Sequence, residues 1–110
     1  MAYDEDLAER IRELLATTAG VDEKRMFGGL AFLVHGHMAV CASAQGGLMV
    51  RVAAEDTANL LTRAHVEPMV MAGRDVLGWI RVSRAGLDGR RQLQPWVTRG
   101  VAYASSLPPK

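Results

Sequence analysis

Cysteine occurs once in the 110 residues, as Cys41, which excludes an intramolecular disulfide and a multi-cysteine zinc site and fits a reducing compartment. No stretch reaches the about 20 apolar residues that span a bilayer. The opening Met-Ala-Tyr-Asp-Glu-Asp lacks the basic start and apolar run of a secretory signal. The expected location is therefore the cytoplasm, with no membrane partner. Charge of one sign is also missing: the net value is +1, short of the cationic excess with which a dedicated nucleic-acid binder neutralises several phosphates. Ser43, Ser83, Ser105 and Ser106 stand in no nucleophile-elbow sequence, and no base with an orienting partner is apparent beside them. No catalytic residue, cofactor or metal ligand is nominated, and the chain is expected to work by binding.

What is present is ordinary for a globular protein: 49% hydrophobic and 23% charged residues suit a chain that folds on its own around one core. At this length a single domain over residues 1–110 is expected, since two would each be near the lower limit for a self-sufficient core. The charge is unevenly placed. Residues 1–60 hold five Lys/Arg against nine Asp/Glu, a balance of −4, and residues 61–110 hold eight against three, a balance of +5.

Asp4, Glu5 and Asp6 precede Leu7, Ile11, Leu14 and Leu15 at helical spacing, so a first helix is expected there, stopping at Gly20. The apolar runs 30–34 and 38–41 flank His35-Gly36-His37 and predict a hairpin in which glycine supplies a positive φ. Gln45-Gly46-Gly47 then leads to a further strand over 48–52, and residues 21–27 offer one in front. From Ala54 the period changes, with Glu55 and Asp56 early and Ala58, Leu61 and Ala64 on one face beside Leu60. That predicts a second helix of about three turns, with His65 at its C-terminal end. Pro68 forbids a helix interior, Ala72-Gly73-Arg74-Asp75 reads as a turn, and residues 76–82 with Trp79 and Ile80 read as a strand. Asp88 or a neighbour starts a last helix lined by Leu93, Trp96, Val97, Val101 and Ala104, which ends before Leu107-Pro108-Pro109. Pro95 requires either the first turn or a kink. The order predicts an α+β fold: two layers, an antiparallel meander sheet and helices packed on one face.

Four groupings could carry chemistry. Gly28-Gly29 could form a backbone nest for an anion, but a strand follows where a phosphate loop needs a helix, so a bulge or a close approach of the first helix to the sheet is the plainer reading. His35, His37 and Cys41 are zinc-ligand types, yet four residues of strand put Cys41 about 13 Å from His37; turn histidines and a small buried thiol fit better. His65 needs only a helix C-terminus. Arg81, Arg84, Arg90 and Arg91, with Trp96 behind them, could grip phosphates or bases, or form a solvated loop over a core tryptophan.

Arg25-Met26-Phe27-Gly28-Gly29, then Gly36-His37-Met38, then Leu48-Met49-Val50-Arg51-Val52 resembles the N-terminal domain of the TfoX/Sxy competence regulators. Trp96-Val97 and the Ser106-Leu107-Pro108-Pro109-Lys110 ending are similar to the short, free-standing members of that family. The resemblance implies a compact α+β fold with a meander sheet, and an association with transcriptional control of DNA uptake in members that carry a second domain. It brings no catalytic residues to carry over. A non-enzymatic regulatory module with a protein partner is the leading expectation, with a homodimer also in view because a small sheet has an edge or face to cover. The second reading is nucleic-acid binding through Arg81, Arg84, Arg90 and Arg91, and the third is a small-ligand or metal-dependent enzyme using His35 and His37.

Overall fold

Asp4 begins the first helix by accepting the Leu7 N–H on Oδ1 at 3.1 Å, which satisfies a donor that the helix itself leaves free. In the computed structural model, which describes residues 3–26 and 28–108, this helix, α1, runs Glu5–Leu14. It buries Leu7, Ala8, Ile11 and the capping Leu15. It ends well before the expected stop: Gly20, at φ +77°, serves instead as the left-handed residue that turns the chain into β1. Arg10 ties α1 to the far end of the chain by donating to the Leu87 carbonyl at 2.7 Å.

Six strands follow: β1 Val21–Met26, β2 Gly29–Val34, β3 His37–Ala42, β4 Leu48–Arg51, β5 Val66–Met71 and β6 Arg74–Val82. The expected extension of β1 to Phe27 lies outside the described residues, as do Pro109 and Lys110. The strands form one antiparallel sheet in the order β1-β2-β3-β4-β6-β5. The first four make the expected meander, and β6 returns to lie between β4 and β5. The β2–β3 hairpin turns on His35 at φ 50° and Gly36 at φ 87°, the doubly positive pair whose twist suits a two-residue connection. The β5–β6 hairpin uses Ala72 and Gly73 the same way. Arg74 and Asp75, expected in that turn, already pair with Met71 and Val70.

β5 was not anticipated, because Pro68 reads only as a breaker. It is an edge strand, where proline's missing N–H costs no ladder bond. Beside Pro68 the register slips: Pro68 faces Ile80 and Val70 faces Asp75. β6 bends there at Gly78, φ +89°. A second slip between Phe32 and Leu33 leaves Ala39 of β3 unpaired as a bulge.

The second helix is shorter than its apolar spacing suggested. A 3₁₀ turn at Ala54–Asp56 leads into α2, Thr57–Leu60. Thr57 and Leu60 are buried, whereas Ala58 and Ala64 are exposed. Thr57 fixes this register, since its Oγ1 accepts the Gly78 N–H at 3.0 Å and donates to the Ala53 carbonyl. Thr62 then donates its hydroxyl to the Asn59 carbonyl at 2.7 Å, one of the local side-chain bonds that compete with helix propagation. His65 consequently lies beyond α2, at φ 67°, and its carbonyl accepts the Ser83 N–H; it does not sit on a helix C-terminus.

A 3₁₀ turn at Arg84–Leu87 precedes α3, Arg90–Ser106. Gly89, the neighbour of Asp88, is the N-cap, and the Gln92 side chain accepts its N–H at 3.3 Å. Pro95 falls past the first turn and α3 continues through it. α3 buries Leu93, Val97, Gly100 and Ala104, a stripe at helical spacing. All three helices join the core on one face of the sheet, where Leu7, Ile11, Leu60, Leu93 and Val97 meet Phe32, Val50, Ile80 and Val82. The opposite face gathers Ala31, Cys41, Met49 and Met69 from strands alone, bordered by Met26, Leu33, Met38 and Trp79. Among the described residues no helix is long and apolar enough to cross a membrane.

Candidate interaction surfaces

Gly100 decides how α3 lies on the sheet. A Cβ there would stand 2.5 Å from the Ala39 carbonyl oxygen and 2.8 Å from Val40 Cγ1, so the helix backbone rests directly on the β3 bulge. The outer flank of α3 then faces the end of β4 and the 3₁₀ turn, and between them runs a groove of about 830 Å³. Val52, Ala53, Pro95 and Ala102 give it an apolar floor, and Tyr103, Arg91, Arg99 and Asp56 stand around it. Pro95 has no N–H to offer the preceding turn, which leaves the Arg91 carbonyl without its usual helical donor on this same flank. Tyr103 connects the groove to Arg51, whose guanidinium lies 5.5 Å from the centre of the Tyr103 ring and 5.9 Å from that of Trp79, its cross-strand partner. Both distances are within reach of cation–π attraction.

The four arginines singled out in the sequence separate in space. Arg81 and Arg84 share a cleft with Gly46, Gly47 and Ser83. Arg90 lines a depression against α1 beside Arg10 and Glu13, and Arg91 stands on the α3 groove. Arg84 is exposed and reaches Asp4 at 3.4 Å. Trp96 packs against the core, with the Arg63 guanidinium 5.7 Å from its ring centre. Arg51, Arg99 and Tyr103 were not among the candidates. The α3 wall of the groove is a second stripe, Arg91, Pro95, Thr98 and Ala102, which has helical spacing but no apolar contrast to draw notice.

The histidines and the thiol have different surroundings. His35 is exposed in the hairpin turn. His37 Nε2 lies 2.6 Å from the Pro108 carbonyl oxygen, which anchors the segment after α3. Cys41 is buried in the strand-only cluster. Burial pushes its thiol up to about 11, with the nearby Arg81 charge acting weakly in the opposite sense. Among the described residues no three His, Cys, Asp or Glu are placed to hold a metal ion.

The two glycines of the Met26–Gly29 region are required by backbone geometry. Gly28 has φ +76°, and a Cβ on Gly29 would run into the Ala42 carbonyl oxygen and crowd Cys41 Sγ. The close approach expected there is real, but its partner is β3 and not the first helix.

The family model described as the TfoX N-terminal domain matches residues 13–104, a span that includes all six strands and all but the C-terminal end of α3. No curated protein matches the chain.

Proposed function

The chain belongs to the TfoX N-terminal domain family, and from that premise we propose that it is a non-enzymatic regulatory module that acts by holding a protein partner in the α3 groove. The observation that carries this reading is the groove itself, about 830 Å³ with an apolar floor of Val52, Ala53, Pro95 and Ala102. Such a trough accommodates one face of an amphipathic helix, the mode in which apolar anchors supply affinity and flanking charges supply orientation. Arg91 and Arg99 at its margin favour a segment with an acidic flank. The resemblance to competence regulators points to a partner in the transcription machinery, within the cytoplasm.

Ala102 is exposed on the groove, so Ala102→Trp fills the trough without entering the core. Affinity capture from the native host, compared between wild type and Ala102→Trp, tests the proposal. Loss of a specific co-purifying protein in the variant supports it. An identical set of captured proteins with both baits refutes it.

A second copy of the chain is the alternative partner. Among the described residues, Val70, Met71 and Leu77 are the exposed large hydrophobic ones, Leu77 at 69%, and all three lie on the outer part of the β5–β6 hairpin. Arg74 and Asp75 beside them are adjacent and opposite in sign, which gives this arm the self-complementary charge of a two-fold contact. Sedimentation of wild type against Leu77→Ser distinguishes the two: a dimer that the variant abolishes favours self-association, and a monomer in both leaves the groove as the binding surface.

A further inference from the structure

Arg81 is half-buried on β6, yet none of its hydrogen bonds goes to a carboxylate. Its Nη2 donates to Ser43 Oγ at 3.0 Å and to the Gly46 carbonyl at 3.2 Å, both neutral acceptors. A guanidinium has five N–H donors, so the donors on Nε and Nη1 are left without a protein acceptor among the described residues. None of these nitrogens is buried without a partner, and Arg81 lines the adjoining cleft. Glu67, its cross-strand neighbour, lines that cleft too, but makes no ion pair with Arg81 within 4.0 Å among the described residues.

The guanidinium is also held in place by a shaped loop. Between β3 and β4, Ser43 donates its N–H to the Gly47 carbonyl, Gly46 donates to the Ser43 carbonyl, and Gln45 donates to Ser43 Oγ at 3.1 Å. Gly46 and Gly47 have φ +89° and +75°, and a Cβ on Gly47 would stand 2.5 Å from the Val82 carbonyl oxygen. Ser43 thus receives both the loop and Arg81, which fixes the fork of the guanidinium. Arg84 lines the same cleft at its exposed side.

We propose that this cleft is a binding site for a phosphate group, with Arg81 as its fixed cation and Arg84, exposed and 3.4 Å from Asp4, as the second, which exchanges that carboxylate for the phosphate. With Nη2 taken by Ser43 and Gly46, the Nε–H and Nη1–H donors diverge, so Arg81 offers one charge-assisted bond to one phosphate oxygen and the Arg84 guanidinium lining the same cleft is placed to meet another. At about 210 Å³ the cleft is below the roughly 300–1,000 Å³ of sites that enclose a whole small molecule. It therefore takes the phosphate and leaves the rest of the ligand outside. Glu67 at the rim selects against ligands that crowd a second phosphate beside the first. The site is separate from the α3 groove, and its failure would leave the proposed partner-binding reading intact.

The test is a solution NMR titration of the full chain that follows the Arg81 Nε–H and the amides of Gly46 and Gly47. Inorganic phosphate is one arm, a short DNA duplex the second, and sodium chloride at matched ionic strength the control. Saturable shifts at these three groups with phosphate or DNA, absent with chloride, are expected. Arg84→Gln, an exposed change that leaves the core untouched, should weaken binding roughly tenfold, as loss of a charge-assisted hydrogen bond does. Arg91→Gln, on the separate groove, should leave it unchanged. Tighter binding of the duplex, with a steep loss on adding salt, assigns the phosphate to nucleic acid; binding of inorganic phosphate at least as tight assigns it to small phosphorylated ligands. No shift in either arm, equal shifts with chloride, or undiminished binding in Arg84→Gln overturns the proposal.

Discussion

Arg51 holds its guanidinium 5.5 Å from the centre of the Tyr103 ring, joining the end of β4 to the last turns of α3. The centre of the Trp79 ring lies 5.9 Å from the same guanidinium. A cation within reach of two aromatic rings gains from both, while its aliphatic stem covers apolar surface. Arg51→Met keeps the stem and removes the charge. The expected loss is about 0.5–2 kcal/mol, measured by urea denaturation. In a Trp96→Phe background, where Trp79 is the sole tryptophan, the emission of Trp79 should change as well. An unaltered midpoint together with an unaltered spectrum would contradict the stacking role.

Helix placement on the sheet rests on a missing methyl group. A Cβ at Gly100 meets the Ala39 carbonyl, a backbone atom in the β3 bulge that cannot swing aside. Gly100→Ala should destabilise by about 1–3 kcal/mol, the usual cost of overpacking, despite alanine's better helix propensity. Gly89→Ser supplies the contrast. Gly89 has φ −110° and nothing within 4 Å of a built Cβ, and serine is a better N-cap, so that variant should gain a few tenths of a kcal/mol. Thermal denaturation of the pair reads both signs.

Which parts of this architecture were legible depended on how local their causes are. The start of α1 follows from Asp4 alone, and the β2–β3 hairpin from His35-Gly36, because a cap and a two-residue turn are fixed by residues next to one another. β5 is different. Pro68 is acceptable in a strand only at an edge, and the edge exists because β6 comes back between β4 and β5, which no window around Pro68 contains. The length of α2 was misjudged for a similar reason: Thr57 turns inward to serve Gly78, twenty-one residues along the chain. The arginines show the limit most plainly. Arg90 and Arg91 are adjacent, but successive helical residues point about 100° apart, and they line different depressions. The α3 groove draws Val52, Asp56 and Tyr103 from distant segments, so it has no contiguous signature.

The edge strand β1 is fastened to α1 by Arg12, whose Nε and Nη2 donate to the two carboxylate oxygens of Glu23 at 2.6 and 2.8 Å. The hydrogen bonds from Arg12 hold the Glu23 carboxyl below its ordinary value; burial opposes them, and the Arg12 charge adds to them. A carboxylate with a depressed folded-state pKa contributes stability that is present above the unfolded value and disappears as pH falls through the folded one. Acid should therefore release this tie. A carboxyl NMR titration should place Glu23 below the ordinary glutamate value of 4.5, and Arg12→Gln should return it toward that value. A Glu23 midpoint indifferent to Arg12→Gln would sink the assignment.

Cys41 responds to pH in the opposite direction. Its thiol is buried among Ala31, Met49 and Met69, and removal from water raises it from 9.0 to about 11, with Arg81 pulling weakly downward. The unfolded chain then ionises this thiol first, so stability should fall as pH rises through the interval between those two values. Only the thiolate attacks a disulfide reagent. At pH 8 the native protein should accordingly react about a hundredfold more slowly than the chain in urea, the factor that two pKa units imply. Arg81→Gln removes the one favourable charge and should slow the native reaction further, provided the variant keeps its fold by circular dichroism. If it reacts faster while folded, the guanidinium is shielding the thiol sterically and its electrostatic influence is the lesser effect.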